Sequence, residues 1–171
     1  MNQKNSIVIK RYQESDAQLL VNIYFYTIHN INTHDYSKEQ INAWAPESCL
    51  ELEGWKKKWG KLPPIVATID NQIVGFAEFE DNGHIDCFYV HHQFQSKGVG
   101  SSLIKEIEQQ ALQKNISKVV AEASITAKTF FLSKGFIVTK EQLKKIRGVD
   151  LKNFVMEKNL EGKVEMVLHQ D

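Results

Sequence analysis

The sequence predicts an α/β (α+β) fold in one domain over residues 1–171: a mixed, mostly antiparallel sheet flanked by helices, in the order βααβββαβαββ. Three observations carry this. Between Ile65 and Val90, three β-rich apolar runs are separated by the turn segments Asp70-Asn71 and Asp81-Asn82-Gly83, the pattern of an antiparallel meander. Before and after that block, apolar residues recur at helical spacing. A glycine-punctuated loop at 95–100 joins the last strand of the meander to a helix.

Taken in order, Ile7-Val8-Ile9-Lys10-Arg11 is a first strand, and Ser15 or Asp16 caps a helix bearing Leu19, Leu20, Ile23, Tyr24 and Ile28. A polar link runs from His29 to Tyr36. Ser37 with Gln40 three residues on is a capping box, which opens a short helix carrying Ile41 and Trp44. Ser48 can cap a further turn or two through Leu52, Trp55 and Trp59, ended by Gly60 and Pro63-Pro64. The meander then comprises Ile65–Ile69, Ile73–Phe79 and Ile85–Val90. The helix after the glycine loop presents Val99, Leu103, Ile104, Ile107, Ala111 and Leu112 on one flank. Lys118–Ala123 is a strand, Thr126–Lys134 a helix stopped by Gly135, and Phe136–Thr139 with Asn153–Glu157 completes the sheet. Residues 159–171 either add an edge strand through Val164–Leu168 or fray.

Composition narrows the partners. Lys plus Arg equals Asp plus Glu at 21 each, so no overall field draws the chain to nucleic acid or an anionic membrane. Cys49 and Cys87 lack C-x-x-C spacing, no leader pattern opens the chain, and no apolar run is long enough to span a bilayer, which together predict a cytoplasmic protein. A homodimer is compatible with all of this.

The segment Val90-His91-His92-Gln93-Phe94-Gln95-Ser96-Lys97-Gly98-Val99-Gly100-Ser101-Ser102-Leu103 is the most informative. Glycines leave backbone N–H groups uncovered, and a helix start adds unpaired N–H groups and a positive dipole end, which together suit phosphate. It is not a P-loop, because Lys97 precedes the glycines instead of following them. It is not a dinucleotide fingerprint either, since Leu103 stands where a third glycine belongs and no acidic residue is placed for a ribose. An ordinary glycine turn before a helix is the plain alternative. The order Gln-x-x-Gly-x-Gly, with Val90 five residues before Gln95, resembles the acetyl-coenzyme A pyrophosphate loop of the GNAT superfamily of N-acetyltransferases. Ala127-Lys128-Thr129-Phe130-Phe131-Leu132-Ser133-Lys134-Gly135-Phe136 is similar to that family's later helix, and the element order matches over roughly residues 6–158.

The resemblance implies acetyl-CoA (coenzyme A) as cosubstrate, with no metal. It implies that the fourth and fifth strands part, that Phe88, Tyr89 and Val90 bond the pantetheine arm, and that Gln95, Ser96, Lys97, Gly98, Val99 and Gly100 wrap the pyrophosphate, with Ser101 and Ser102 adding hydroxyls. Lys97 either touches phosphate or faces water. The later helix brings Ser124 and Phe131 to the same ligand. Two residues depart from the family pattern: Ser124 replaces Asn, and Phe131 replaces the Tyr that commonly protonates the departing thiolate. Water, Ser133, Tyr89, Tyr36 or bulk solvent then has to supply that proton, and no general acid is assigned.

Acetylating an amine requires shedding its proton, which costs roughly 4 kcal/mol at pH 7 for a pKa near 10. Asp86 is the first candidate base, four residues before Val90 and so expected on the face of Phe88 and Val90; otherwise it merely caps or pairs at a hairpin end. Glu78 is the second. A three-residue loop pairing Glu80 with His84 sets the two acids opposite each other, whereas a two-residue Asn82-Gly83 loop separates them. His84 is a weaker base candidate, and Cys87 is expected on the face opposite Asp86 as a small core residue. His91 and His92 follow the strand, and no carboxylate or cysteine stands at a ligand spacing beside these histidines. The acceptor, a small-molecule or peptide amine, is expected against the link between the first two helices, through His34, Asp35, Tyr36 and Trp44. The predicted activity is N-acetyl transfer by direct attack in a ternary complex, with the Val90 N–H polarising the thioester as in the family. The rival from another class is an acyl-coenzyme A sensor without turnover, and the missing Tyr at 131 favours it.

Overall fold

A computed structural model describes residues 6–161. The expected strand at Val164–Leu168 lies outside them. The elements are β1 (Ile7–Arg11), α1 (Ala17–Asn30), α2 (Lys38–Trp44), α3 (Leu52–Lys61), β2 (Ile65–Ile69), β3 (Gln72–Phe79), β4 (His84–Val90), α4 (Val99–Gln113), β5 (Lys118–Ser124), α5 (Ile125–Ser133), β6 (Ile137–Ile146) and β7 (Val149–Asn159). They build a seven-stranded sheet ordered β1-β2-β3-β4-β5-β7-β6. Each neighbouring pair is antiparallel except β4 and β5.

Helices cover both faces. On one, Val99, Leu103, Ile104, Ile107 and Ala111 of α4 pack with Phe131 of α5 and Phe136 against Ala67, Val74, Ala77, Phe79 and Ile85 of the sheet. On the other, Leu20, Val21 and Ile23 of α1 and Trp59 of α3 meet Val66, Ile73, Phe76 and Cys87. Burying each Val, Leu, Ile or Phe among these contributes roughly 1.5–3 kcal/mol, so two extended faces suffice to fix the sheet between its helices. A third cluster, Ile28, Tyr36, Ile41, Ala45 and Leu151, ties α1 and α2 to the β6–β7 hairpin.

Several local expectations are corrected. Leu19 and Leu112 face solvent, because α1 turns Leu20, Val21 and Ile23 inward and α4 is already filled by Ala111. Asp16 does not cap α1; its carboxylate accepts from Gln13 N and Lys10 Nζ (2.9 and 2.6 Å), closing a 3₁₀ turn before the helix. Ser48 sits inside a separate 3₁₀ turn, Glu47–Leu50, and Gly60 lies within α3, which ends at Lys61 before the prolines. The Ser37–Gln40 capping box forms with both reciprocal bonds. The largest difference is at the C-terminal end. β6 and β7 run ten and eleven residues, joined by Arg147-Gly148, and Phe136 precedes β6 as a buried core residue.

Candidate active site

β4 pairs with β5 only through His84↔Val120 and Ile85↔Ala121; beyond them the two strands part. Peptide N–H groups alternate sides along a strand. His91 N donates to Val74 O on β3 (2.8 Å), so the Val90 N–H points the other way, into the gap. The Val90 carbonyl is served there by side chains instead of by β5, accepting from Thr27 Oγ1 at 2.9 Å and Gln95 Nε2 at 2.8 Å.

That gap is a cleft of about 490 Å³. Phe88, Tyr89, Val90, Gln95, Ser96, Gly98, Val99, Gly100, Ser101, Ser124 and Phe131 all line it, which brings together nearly every residue expected at the nucleotide. Lys97 and Ser102 are the exceptions: neither belongs to the cleft lining, and the Lys97 ammonium lies 5.1 Å over the Phe94 ring. Gly98 caps α4 at φ 86°, a left-handed conformation that L side chains resist. A Cβ on Gly100 would sit 2.9 Å from Phe130 Cζ, so the helix start and α5 approach closely because that side chain is missing. Ser124 caps α5, accepting from Ala127 N at 3.0 Å. Phe131 is buried against Phe88, Phe130 and Phe136 and brings no hydroxyl.

The acids occupy a different face from the one expected. Phe79 pairs with Ile85 and Ala77 with Phe88, so Glu78 stands alone opposite both Asp86 and Cys87. This is a β-bulge, and it breaks the two-residue alternation on which the sequence reading relied. Asp86 therefore turns away from Phe88 and Val90, and Cys87 shares its side of the sheet with Glu78 instead of opposing it. The loop itself follows the three-residue alternative: Glu80 N donates to His84 O at 2.8 Å and Gly83 N to Glu80 O at 3.0 Å.

Lys58 of α3, absent from the sequence reading, joins the two carboxylates, with Nζ 2.6 Å from Glu78 Oε2 and 2.8 Å from Asp86 Oδ2. Trp59 Nε1 donates to Glu78 Oε1 at 2.7 Å. Glu78 is only 1% exposed, and this burial raises its pKa above the ordinary 4.5 despite the bonds from Lys58 and Trp59. Asp86 is half-open. Burial pushes its carboxyl up, but the hydrogen bond and charge of Lys58 outweigh that and hold it below the ordinary 3.8. The three-residue loop also sets His84 beside Glu80 (3.1 Å), the pairing that alternative named, and near Asp86, so carboxylates do stand beside this histidine.

A second cleft, about 240 Å³, shares Trp44, Asp86, Tyr89, Glu122 and Ser124 with the first. Of the residues expected at the acceptor, Tyr36 and Trp44 line it, whereas His34 and Asp35 are exposed and line neither cleft. The Tyr36 hydroxyl is committed to the backbone, donating to Lys152 O at 2.6 Å and accepting from Ile125 N at 2.9 Å. The far wall comes from the β6–β7 hairpin, through Lys144, Ile146, Arg147, Leu151, Lys152 and Asn153. The one signal for that wall was the basic run at 140–147.

Among the described residues, no helix is long and apolar enough to cross a membrane. Residues 32–158 match the family model described as an acetyltransferase (GNAT) domain. The chain is 36% identical over 152 residues to the uncharacterized N-acetyltransferase YafP of Escherichia coli, covering 89% of this chain and 95% of that one. Its fold is similar to the crystal structure of a GCN5-related N-acetyltransferase from Rhodopseudomonas palustris, with TM-score 0.85 and 28% identity over 91% of this chain and 96% of the other. It also resembles yncA, a putative acetyltransferase from Salmonella typhimurium solved with acetyl-CoA, with TM-score 0.64 and 21% identity over 92% and 95% of the two chains. With a parted sheet, a glycine loop at a helix start and a family match over most of its length, the chain belongs to the GNAT family of N-acetyltransferases.

Proposed function

We propose that the protein transfers an acetyl group from acetyl-CoA to a primary amine by direct attack in a ternary complex. One observation carries this reading: the gap between β4 and β5, lined by the glycine loop, meets a second cleft at Asp86 and Tyr89. Two reactants can thus be held on either side of one strand, which removes much of the entropic barrier to their reaction.

The residues at the gap fit the nucleotide. Backbone groups of Phe88, Tyr89 and Val90 would bond the amides of its arm, and Gln95, Ser96, Gly98, Val99, Gly100 and Ser101 its diphosphate; Lys97 would lie outside. When bound, acetyl-CoA supplies an activated acyl group. Asp86, open at the junction and kept ionised by Lys58, accepts the proton that the acceptor ammonium sheds. The Val90 N–H supports the oxyanion as the amine nitrogen attacks, a preorganised contact typically worth a few kcal/mol. Tyr89 lines both clefts and carries the hydroxyl that Phe131 lacks, so it is the residue assigned to protonate the departing thiolate. Glu78 acts through Lys58, positioning it against Asp86. Tyr36 and Trp44 wall the acceptor cleft, while His34 and Asp35 would reach only an acceptor that extends onto the surface.

The test is release of free thiol from acetyl-CoA across a panel of amines, polyamines and peptides, alongside calorimetry with coenzyme A. Acceptor-dependent thiol release supports the transferase. Phe131 favours a second reading, an acyl-coenzyme A sensor, which tight binding without thiol release on any acceptor would select.

A further inference from the structure

The second cleft has two chemically distinct ends. At the junction stand Asp86 and Tyr89; at the other end the β6–β7 turn brings up Arg147. Ile146 and Val149 pair across that turn, and Arg147 and Gly148 both adopt positive φ (47° and 79°), the geometry of a tight two-residue hairpin. Ile146, Val149 and Leu151 pack against Ile28, Ile41, Ala45 and Trp44, so the turn is anchored to α1 and α2.

The cations around this end differ in their partners. Lys144 pairs with Glu122, Lys145 with Asp150 at 3.1 Å and Lys152 with Glu141 at 2.8 Å. Among the described residues, Arg147 has no carboxylate partner. Its Nη1 donates to Ala43 O at 2.8 Å, one bond from a group with five donors in a planar fork. Its charge reaches into the cleft: it lowers the Tyr24 phenol against the larger upward push of burial, while Asp86 adds to that push. Tyr24, a lining residue of the same cleft, thus feels both the cation and the carboxylate.

Resting on the transferase reading above, we propose that the acceptor is a small amine that also carries a carboxylate, its amine directed to Asp86 and its carboxylate received by the Arg147 guanidinium. A planar fork anchored by one bond retains parallel N–H groups for a carboxylate, a match that a lysine's point charge cannot reproduce. The limited volume of the cleft suits a molecule of amino-acid size. The anchored turn fixes the distance between the two ends, so acceptors are also sorted by length.

The experiment measures kcat/KM by thiol release for ω-amino acids of increasing chain length, each paired with its own primary amide, which keeps the amine and removes the negative charge. For the best-fitting length the carboxylate form is favoured by about tenfold or more, the usual range for hydrogen bonds to a charged group. Arg147→Gln collapses that ratio, and Arg147→Lys restores part of it. A wild-type enzyme that turns over the amides as well as the acids at every length overturns the assignment. So does a ratio left unchanged in Arg147→Gln, which would leave Arg147 only the role of holding Ala43. If Arg147→Gln does not fold, the wild-type preference and the reduced ratio in Arg147→Lys decide the matter. Absence of thiol release with every amine, acid and amide alike, alongside measurable coenzyme A binding, defeats the transferase reading and this assignment with it.

Discussion

Glu78 and Asp86, on neighbouring strands, share a single ammonium: Lys58 Nζ lies 2.6 Å from one carboxylate and 2.8 Å from the other. The bulge at Asp86-Cys87 makes this possible by turning Asp86 to the side of Glu78. The two acids are unequal. Burial raises the pKa of Glu78, whereas Lys58 holds that of Asp86, which lines both clefts, below its ordinary value.

Asp86→Asn is expected to lower kcat by about a hundredfold or more, the lower range for losing a general base, with coenzyme A affinity little changed by calorimetry. Lys58→Met should act differently. Without the ammonium that holds Asp86 down, its pKa rises, and the acid limb of kcat/KM moves to higher pH. An acid limb that does not move in Lys58→Met would remove Asp86 from the role of base.

Gly98→Val tests the nucleotide loop. The position requires φ 86°, where a β-branched residue is strained, although the nearest atom to an added Cβ, Ile7 Cδ1 at 3.6 Å, leaves room for it. The loop must therefore distort while the core stays packed. Coenzyme A affinity should fall at least about tenfold, with far-UV circular dichroism unchanged; full affinity in a folded variant would move the diphosphate elsewhere.

Tyr89→Phe removes the hydroxyl but keeps the ring against Tyr24 and Phe76. If that hydroxyl protonates the departing thiolate, kcat falls by about tenfold or more while KM for acetyl-CoA is nearly constant. An unchanged kcat would hand protonation to water, which a thiol with pKa near 8.5 tolerates.

Local chemistry was legible in the sequence where its causes are local. The Ser37–Gln40 capping box and the glycine turn that opens α4 depend on neighbours within a few residues, and both conformations are present. Lys58 was invisible because its role depends on α3 crossing β3 and β4, which no spacing along the chain reports. The bulge hid for a related reason: register is a property of two strands, and one added residue reverses every face inference beyond it. β6 was read short because an edge strand, exposed on most of its length, has no alternation to display, and Lys140-Glu141-Gln142 has poor strand propensity. The hairpin wall of the second cleft was missed along with it.

Tyr36→Phe separates a structural hydroxyl from a recognition group. Its oxygen joins β7 to the start of α5, and the variant leaves Ile125 N–H and Lys152 C=O without that partner. A loss of roughly 1–3 kcal/mol of stability is expected, seen as a Tm lowered by several degrees. Because the ring still walls the cleft, KM for a good acceptor should change little. A large KM effect with unchanged Tm would instead make the hydroxyl an acceptor contact.

Glu78→Gln tests the buried member of the acid pair through the pH dependence of stability. A carboxyl raised by folding binds its proton more tightly in the native than in the unfolded chain. Its stabilising contribution is therefore complete below the ordinary 4.5 and is lost as pH climbs through the raised value. Asp86, lowered from 3.8, contributes the opposite slope, but only at pH below that value, so it leaves the higher window to Glu78. Glutamine keeps an oxygen for Trp59 Nε1 and does not titrate. The difference in Tm, variant minus wild type, should accordingly grow more positive as pH rises above the ordinary 4.5. Thermal melts across that range read it directly. A difference that is flat, or that turns more negative, would mean that Lys58 fully compensates the buried charge, and Glu78 would then be an ordinary ion-pair partner with no raised pKa.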